Sequence, residues 1–193
     1  MSTQITDPKV LDVIPKLGGK VVDQGGDVLV MGGSKRTVKL MEAIARGIPV
    51  VSQSWLIASK QMESFQDPWK FILDDKELEK KFKFNLNTAI KTAHPYLTGW
   101  VVYLTPKILP PPQEMKTLIE ASGGKVVIVG GVVGRRSGNT TERGSQGTFS
   151  VSCEEDSHIW PSLPRPVNST EAIMLGAIHH KLVSGYQIDK ENK

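Results

Sequence analysis

The sequence has little cysteine: Cys153 is the single one in 193 residues, so no internal disulfide can form. That scarcity is typical of a reducing compartment. No apolar run approaches the roughly 20 residues of a membrane-spanning helix, and the amino terminus lacks the basic and apolar regions of a signal peptide. The net charge of +4 is too small to indicate a nucleic-acid binder by itself. These absences predict a soluble intracellular protein.

Patterns typical of catalysis and metal binding are also missing. The glycines of residues 129–134 do not follow the G-x-G-x-x-G spacing of a dinucleotide loop. His179 and His180 are adjacent on a predicted helix, so they point to different faces and lack further ligands at a suitable spacing. The acidic residues 154–156 are expected to raise, not lower, the pKa of the Cys153 thiol. We expect no enzyme, no metal site and no cofactor.

The most informative stretch, residues 33–56, predicts a helix, a tight turn, a short strand and a second helix. Apolar residues at steps of three and four mark one buried side of the first helix. Gly47 stands where that helix would end in a left-handed residue. Residues 48–51 predict a short buried strand, and Ser52 or Ser54 is expected to cap the second helix.

Three cations, Lys35, Arg36 and Lys39, are predicted in the first turn of that first helix. A helix N-terminus favours negative charge, so the arrangement is mildly unfavourable unless an anion is bound. A phosphate there would meet free N–H groups and lysine together. Arg36 and Lys39 are three residues apart, which on one helix places them on the same face. The alternatives are that Lys39 faces solvent and that Arg36 contacts the connecting segment.

Strands alternate with helices in residues 1–66, which predicts a parallel sheet with helices on its faces. The strands of this half are expected at residues 1–5, 20–23, 27–31 and 48–51, and the strand at 27–31 is apolar enough to be buried on both faces. A helix capped by Asp7 is expected to end at Lys16. The first strand begins so close to Met1 that we interpret the chain as a piece of a longer protein.

Residues 67–97 have the composition of a connector. The charged stretch 74–84 predicts a solvated surface, and residues 87–93 predict a short helix. From Thr98 the first pattern returns, because residues 122–127 repeat residues 17–22 almost residue for residue. The copies lie roughly 100 residues apart, which indicates a duplicated domain.

The second copy predicts elements like those of the first. Strands are expected at residues 100–104, 125–127 and 148–152, with a helix at 113–121 and a last helix capped by Ser169 or Thr170. The polar, glycine-rich residues 134–147 predict a loop. No counterpart of the helix at 36–46 is evident, and a proline-rich segment, 160–166, stands near its place.

These motifs resemble the BRCT fold, and two copies joined by a linker resemble a tandem BRCT pair over nearly the whole chain. The resemblance rests on Gly18-Gly19-Lys20-Val21-Val22, Arg46-Gly47-Ile48-Pro49-Val50-Val51 and Ser54-Trp55-Leu56. The first repeat is then residues 1–66, the linker 67–97 and the second repeat 98–193. The stretches 36–39, 82–86 and 103–113 are most similar to the C-terminal pairs of DNA-damage checkpoint mediators, and fungal and insect readers of phosphorylated histone tails are similar too.

The resemblance implies an α/β fold in which each repeat has a short parallel sheet flanked by helices. It implies that the first repeat binds phosphoserine through the Thr3 hydroxyl, the N–H of Gln4 and the amine of Lys39. Arg36 resembles the arginine that pairs with the C-terminal carboxylate of the ligand in histone-reading members. Gln4 departs from the usual glycine, which leaves Ser2 as an alternative source of the hydroxyl. The second repeat offers no equivalent lysine.

We therefore expect a phosphopeptide-binding module of the DNA-damage response that reads a phosphoserine near a free C-terminus, such as a phosphorylated histone tail at DNA breaks. It is expected to be monomeric, nuclear and chromatin-associated, without membrane contact and without direct DNA binding. Two alternatives stay open: a nucleic-acid binder and a phosphate-independent interaction scaffold. The nucleic-acid alternative would use Arg135, Arg136 and Arg143 with Lys80, Lys81 and Lys83.

Overall fold

The computed structural model describes the backbone of residues 2–3 and all of residues 11–23, 25–33, 35–130 and 143–189. The chain divides into two compact units between Ala93 and His94. Residues predicted as the first part of the linker therefore lie in the first unit, and the repeat limits drawn from the sequence stay a prediction. Within the described ranges, no helix is both long and apolar enough to cross a membrane.

The first unit places a short parallel sheet among helices. Its elements in chain order are β1 (Ser2–Thr3), α1 (Val13–Lys16), β2 (Leu29–Val30), α2 (Val38–Arg46), β3 (Val50–Val51), α3 (Ser54–Gln61), a 3-10 turn (Pro68–Lys70), α4 (Lys76–Phe82) and α5 (Leu86–Lys91). The sheet order is β1-β2-β3, and both pairings are parallel. Thr3 lies opposite Val30, and Val30 lies opposite Val51.

The central strand β2 is buried, as its apolar sequence predicts. Val30 packs in one cluster with Ile14, Val51, Trp55 and Leu56, which brings α1, β3 and α3 onto the same core. A parallel strand with helices on its faces has no solvated side, so an unbroken apolar run is required. The packing of this core follows from that run.

Helix α2 ends where the sequence predicts. Gly47 has φ 67°, and its N–H donates to the carbonyl of Ile44 at 3.1 Å. A side chain at this position would also meet α5, because an ideal Cβ on Gly47 lies 3.1 Å from the Ile90 carbonyl oxygen and 3.1 Å from the Ala93 Cβ. Glycine therefore serves both the left-handed turn and the close approach of α5.

Two local predictions for the first unit are wrong. Residues 20–23 form no strand. The same motif does pair in the second unit, where its partner strand has five residues. The predicted serine cap is also absent: the N-cap of α3 is Gln53, and the hydroxyls of Ser52 and Ser54 bond each other at 2.6 Å.

Some of the other predictions for residues 1–97 are confirmed, and one concerns a residue outside the described ranges. Helix α1 ends at Lys16 as expected, whereas its predicted cap, Asp7, lies outside the described residues. The short helix expected at 87–93 is α5. The charged stretch 74–84 is mostly exposed, but Asp75 within it is only 6% exposed, so it is not solvated throughout.

The second unit has the same architecture with a longer sheet. Its elements are β4 (Trp100–Leu104), α6 (Pro112–Ala121), β5 (Lys125–Ile128), β6 (Gly147–Val151), a 3-10 segment (Glu154–Ser162), β7 (Val167–Asn168) and α7 (Glu171–His179). The strand order is β5-β4-β6-β7, parallel throughout. The predicted strands and helices are confirmed, while β7 was not predicted.

The connection between the last two strands distinguishes the units. In the first unit α2 joins β2 to β3, and in the second the 3-10 segment joins β6 to β7, so the predicted lack of a helix like α2 is confirmed. Thr170 is the N-cap of α7, but its hydroxyl donates to the Leu109 carbonyl at 2.9 Å instead of bonding the helix. Of the predicted loop at 134–147, residues up to 142, including Arg135 and Arg136, lie outside the described residues.

Trp55 provides the test of this core. It is 2% exposed, stacks on Phe65 with ring centroids 5.4 Å apart, and donates from Nε1 to the Gln66 carbonyl at 2.7 Å. Trp55→Ala should lower the free energy of unfolding by about 3–5 kcal/mol. Trp69→Ala, at a 42% exposed tryptophan of the same unit, is the control and should cost about 1 kcal/mol. Equal unfolding midpoints in urea for both variants would contradict this packing.

Candidate functional site

The carboxyl ends of β1 and β2 meet the amino end of α2 at one edge of the first sheet. This follows from the parallel register, since Thr3 lies opposite Val30 and the chain passes from Val30 through residues 31–37 into α2. The backbone of Thr3 is thus at the edge where α2 begins. The side chain of Thr3 is not among the described atoms, and Gln4 lies outside the described residues.

Thr37, not an earlier residue, is the N-cap of α2. Its backbone is extended, with φ −99° and ψ 161°, and its Oγ1 accepts from the Leu40 N–H at 3.3 Å. Helix α2 therefore begins at Val38, so Arg36 precedes the helix and Lys39 alone of the three cations is in its first turn. The prediction that Arg36 and Lys39 share one helical face is wrong, because the threonine hydroxyl takes the amide that an earlier start would have used.

Lys39 is the cation best placed for an anion at this edge. Its side chain is 39% exposed, and its Nζ lies 3.9 Å from Oδ1 of Asp23, which is itself fully exposed. A long ion pair between solvated groups contributes little to stability. Among the ion pairs of the described residues, a phosphate at the amino end of α2 would compete for the amine with that weak contact, and the N-terminal amides of the helix would add to the attraction.

Arg36 lies against α4, in the segment 67–97 that the sequence predicts as the linker. Its guanidinium carbon is 4.7 Å from the centroid of the Phe82 ring, and the Nζ of Lys81 is 5.4 Å from the same centroid. The alternative contact expected for Arg36 is thus present. Phe82 and Lys81 were not assigned to the phosphopeptide site from the sequence. The available signal was an aromatic residue flanked by lysines within the predicted linker.

Asp75 caps α4 and lies close to the loop between β2 and α2. Its Oδ1 accepts from the Leu78 N–H at 3.0 Å, which caps α4. Its Oδ2 lies 3.2 Å from the position of an ideal Cβ on Gly33, a residue with φ 103°. Any side chain at Gly33 would be strained and would press on this carboxylate, so glycine permits the close approach. Helix α4 is therefore a wall of the same edge.

Comparison with known families decides what kind of unit this is. The family model described as BRCA1 C Terminus (BRCT) domain matches residues 2–60, and a second model, described as BRCT domain, matches residues 95–187. The chain belongs to the BRCT family and carries two BRCT domains in tandem. BRCT domains are generally protein-interaction modules, in agreement with the absence of catalytic motifs from the sequence.

Individual relatives agree with this assignment. Human Mediator of DNA damage checkpoint protein 1 is 34% identical over 126 residues, which is 63% of this chain but only 6% of that protein. The BRCT5-BRCT6 domains of Brc1 from S. pombe superpose with a TM-score of 0.72 at 20% identity, covering 98% of this chain and 96% of that one. Rtt107p, solved in complex with a phosphorylated histone, gives a TM-score of 0.57 at 10% identity, covering 95% and 88%. The two structures confirm the tandem BRCT fold.

In the second BRCT domain, side chains that follow β4 and β6 form hydrogen bonds with one another and with the backbone at the carboxyl edge of the sheet. Thr105 follows β4, and its hydroxyl donates to Ser152 Oγ at 3.0 Å. Ser152 Oγ also accepts from Trp160 Nε1 at 2.8 Å. Asp156 is fully buried, and its Oδ2 accepts from the Lys107 N–H at 2.9 Å. The BRCT edge that presents a lysine in the first domain thus holds a carboxylate in the second.

Possible metal ligands and the Cys153 thiol are the remaining reactive groups that the sequence analysis considered. Among the described residues, no three His, Cys, Asp or Glu side chains come together as a metal site would require. Burial, a hydrogen bond to Glu155 and the charge of Asp156 raise the pKa of the Cys153 thiol to about 11. The direction expected from the acidic neighbours is confirmed.

The raised pKa predicts an unreactive thiol. At pH 8 a higher pKa means a smaller thiolate fraction, so Cys153 in the folded protein should react with a maleimide at least about tenfold more slowly than in the unfolded chain. The measurement is the labelling rate at pH 8 with and without guanidinium chloride. Equal rates in the two conditions, with the fold intact in the absence of denaturant, would contradict the shift.

Proposed function

We propose that the tandem BRCT pair binds a phosphoserine peptide at the carboxyl edge of β1 and β2. The observation that carries the proposal is the position of Lys39, in the first turn of α2 and engaged only by a long, exposed contact with Asp23 among the ion pairs of the described residues. Relationship to a DNA damage checkpoint mediator supports a role in that response. The fold that Rtt107p uses with a phosphorylated histone supports a phosphorylated ligand.

Each proposed site residue has a separate task. The Thr3 hydroxyl, with Ser2 as the alternative, and the N–H of Gln4 donate to the phosphate, and the amine of Lys39 neutralises it. Arg36 forks onto the C-terminal carboxylate of the peptide. The Cα atoms of Arg36 and Lys39 are at most about 11 Å apart along three residues of chain, which a few residues of an extended peptide also span.

The ligand class follows from these two charges. A phosphoserine followed by about three residues and a free C-terminus presents both at the required separation, and a phosphorylated histone tail is such a peptide. Relatives in checkpoint signalling support action in the nucleus, on chromatin at DNA breaks. We propose that the module acts as a monomer, that the repeats have the limits 1–66 and 98–193, and that no catalysis is involved.

Lys39→Ala should weaken binding of a phosphoserine peptide by about 10- to 100-fold, because a charge-assisted hydrogen bond to the phosphate is lost. Lys39→Arg should also weaken it, since a planar fork does not replace a point charge. Lys60→Ala, at an exposed lysine of α3, is the matched control and should bind like the wild type. Calorimetry with phosphorylated and unphosphorylated forms of one peptide measures the affinity of each of the three variants.

The same titrations separate the other classes of function. Affinity of Lys39→Ala within threefold of the wild type would exclude the proposed phosphate contact. Equal binding of both peptide forms would indicate a phosphate-independent scaffold. A duplex DNA that binds with a steep loss of affinity in salt would indicate the nucleic-acid alternative.

Amidation of the peptide C-terminus should cost about tenfold in affinity, and Arg36→Ala should cost a similar factor. The two changes remove the same pair, so together they should cost little more than either alone. The measurement is a double-mutant cycle by calorimetry, with the wild type and Arg36→Ala each titrated with the free and amidated peptides. If the cost of amidation persists in full in Arg36→Ala, another group binds the carboxylate; if amidation costs the wild type nothing, the ligand is an internal phosphosite.

A further inference from the structure

Two cations of the first unit share one aromatic ring. Arg36, from the loop before α2, and Lys81, from the last turn of α4, lie 4.7 Å and 5.4 Å from the centroid of Phe82. The residues are far apart in sequence, and the arrangement arises only because α4 returns to this loop. Like charges so placed repel each other, and the repulsion is relieved when an anion binds between or beside them.

The ring itself is held in place by α4. Leu78 is buried, the Asp75 carboxylate caps the first turn, and Phe82 is the last residue of the helix. Lys83 follows in the left-handed conformation with φ 52°, which ends the helix there. Phe82 is therefore attached to a helix that is capped at its start by Asp75 and packed through Leu78.

The acidic neighbour on α4 is already engaged. Glu79 Oε1 accepts from the Asn85 side chain at 2.9 Å and from the Leu86 N–H at 2.7 Å, and its Oε2 lies 3.5 Å from the Nζ of Lys76. Glu79 thus contacts the start of α5 and the first residue of α4.

We propose that Phe82 is a positioning residue for Arg36, and that Lys81 adds a second positive charge, so that the site selects peptides ending in a free carboxylate. This inference rests on the proposed function. The negative face of the ring attracts the flat face of the guanidinium, which leaves the N–H groups at its rim directed away from the ring. A carboxylate can then accept two parallel N–H bonds without first ordering the arginine side chain, whose freedom would otherwise be lost on binding.

The experiment compares ringless and ring-retaining variants on one set of peptides. Phe82→Leu removes the ring and keeps an apolar side chain, Phe82→Met is a second ringless variant, and Phe82→Tyr keeps the ring. Lys81→Gln removes the second charge, and Lys80→Gln makes the same change at the exposed preceding residue as the matched control. Each is titrated by calorimetry with a phosphoserine peptide in free and amidated forms and with the unphosphorylated free peptide.

The expected result is a selective loss of carboxylate preference. Amidation should cost about tenfold in the wild type, in Phe82→Tyr and in Lys80→Gln, and about threefold or less in Phe82→Leu and Phe82→Met, as expected for loss of a cation–π contact. Lys81→Gln should lower the cost of amidation by about twofold. The preference for phosphorylated over unphosphorylated peptide should persist in all of them, because the ring acts through Arg36 and not on the phosphate.

Other results would overturn the inference and not the proposed function. Folded Phe82→Leu, verified by its thermal midpoint, that still loses tenfold on amidation would show that the ring does not position Arg36. Equal weakening of the free and amidated peptides would show that Phe82 has a structural role only. Should Phe82→Leu not fold, Phe82→Met decides between the same outcomes. By contrast, a wild-type protein without preference for the phosphorylated peptide would refute the proposed function itself.

Discussion

The parallel pairing of β2 with both of its neighbours is the constraint on which the first BRCT domain depends. Because β2 and β3 run the same way, the chain must cross over between them, and α2 supplies that crossover. The amino end of α2 then falls at the carboxyl edge of the sheet, beside the end of β1. Thr37 sets the first turn, which puts Lys39 there. A lysine at a helix N-terminus opposes the helix dipole, and a bound phosphate would turn that cost into an attraction.

A second constraint makes the connecting segment part of the site. The two oxygens of Asp75 act in different directions, since one caps α4 and the other meets the loop at Gly33. The last residue of the same helix, Phe82, lies with its ring centroid 4.7 Å from the Arg36 guanidinium carbon, so a stretch with the composition of solvated surface lies beside the loop before α2. The buried, capping carboxylate of Asp75 shows that a charged sequence can include residues that are not solvated.

The two BRCT domains share a fold and place different groups at the same edge of the sheet. In the first, the crossover helix presents Lys39 at the edge of the sheet. In the second, a 3-10 segment replaces the helix and places the buried carboxylate of Asp156 on the Lys107 N–H. That carboxylate occupies donors of the kind a phosphate would use, and its negative charge repels a further anion. At this edge the domains differ in the crossover, while all pairings between the described strands of both sheets are parallel.

Local physics determined much of this protein from its sequence alone. The buried strand β2, the helix α2 with its end at Gly47, and the duplication were predictable because periodicity, glycine conformation and motif spacing act over a few residues. Tertiary structure alone decided that residues 20–23 form no strand, and that Arg36 precedes α2 and lies over the Phe82 ring. A strand requires a hydrogen-bonded partner strand, and this cation–π contact requires an aromatic ring from a segment distant in sequence. Neither partner is specified near the residues concerned, so only the folded chain brings them together.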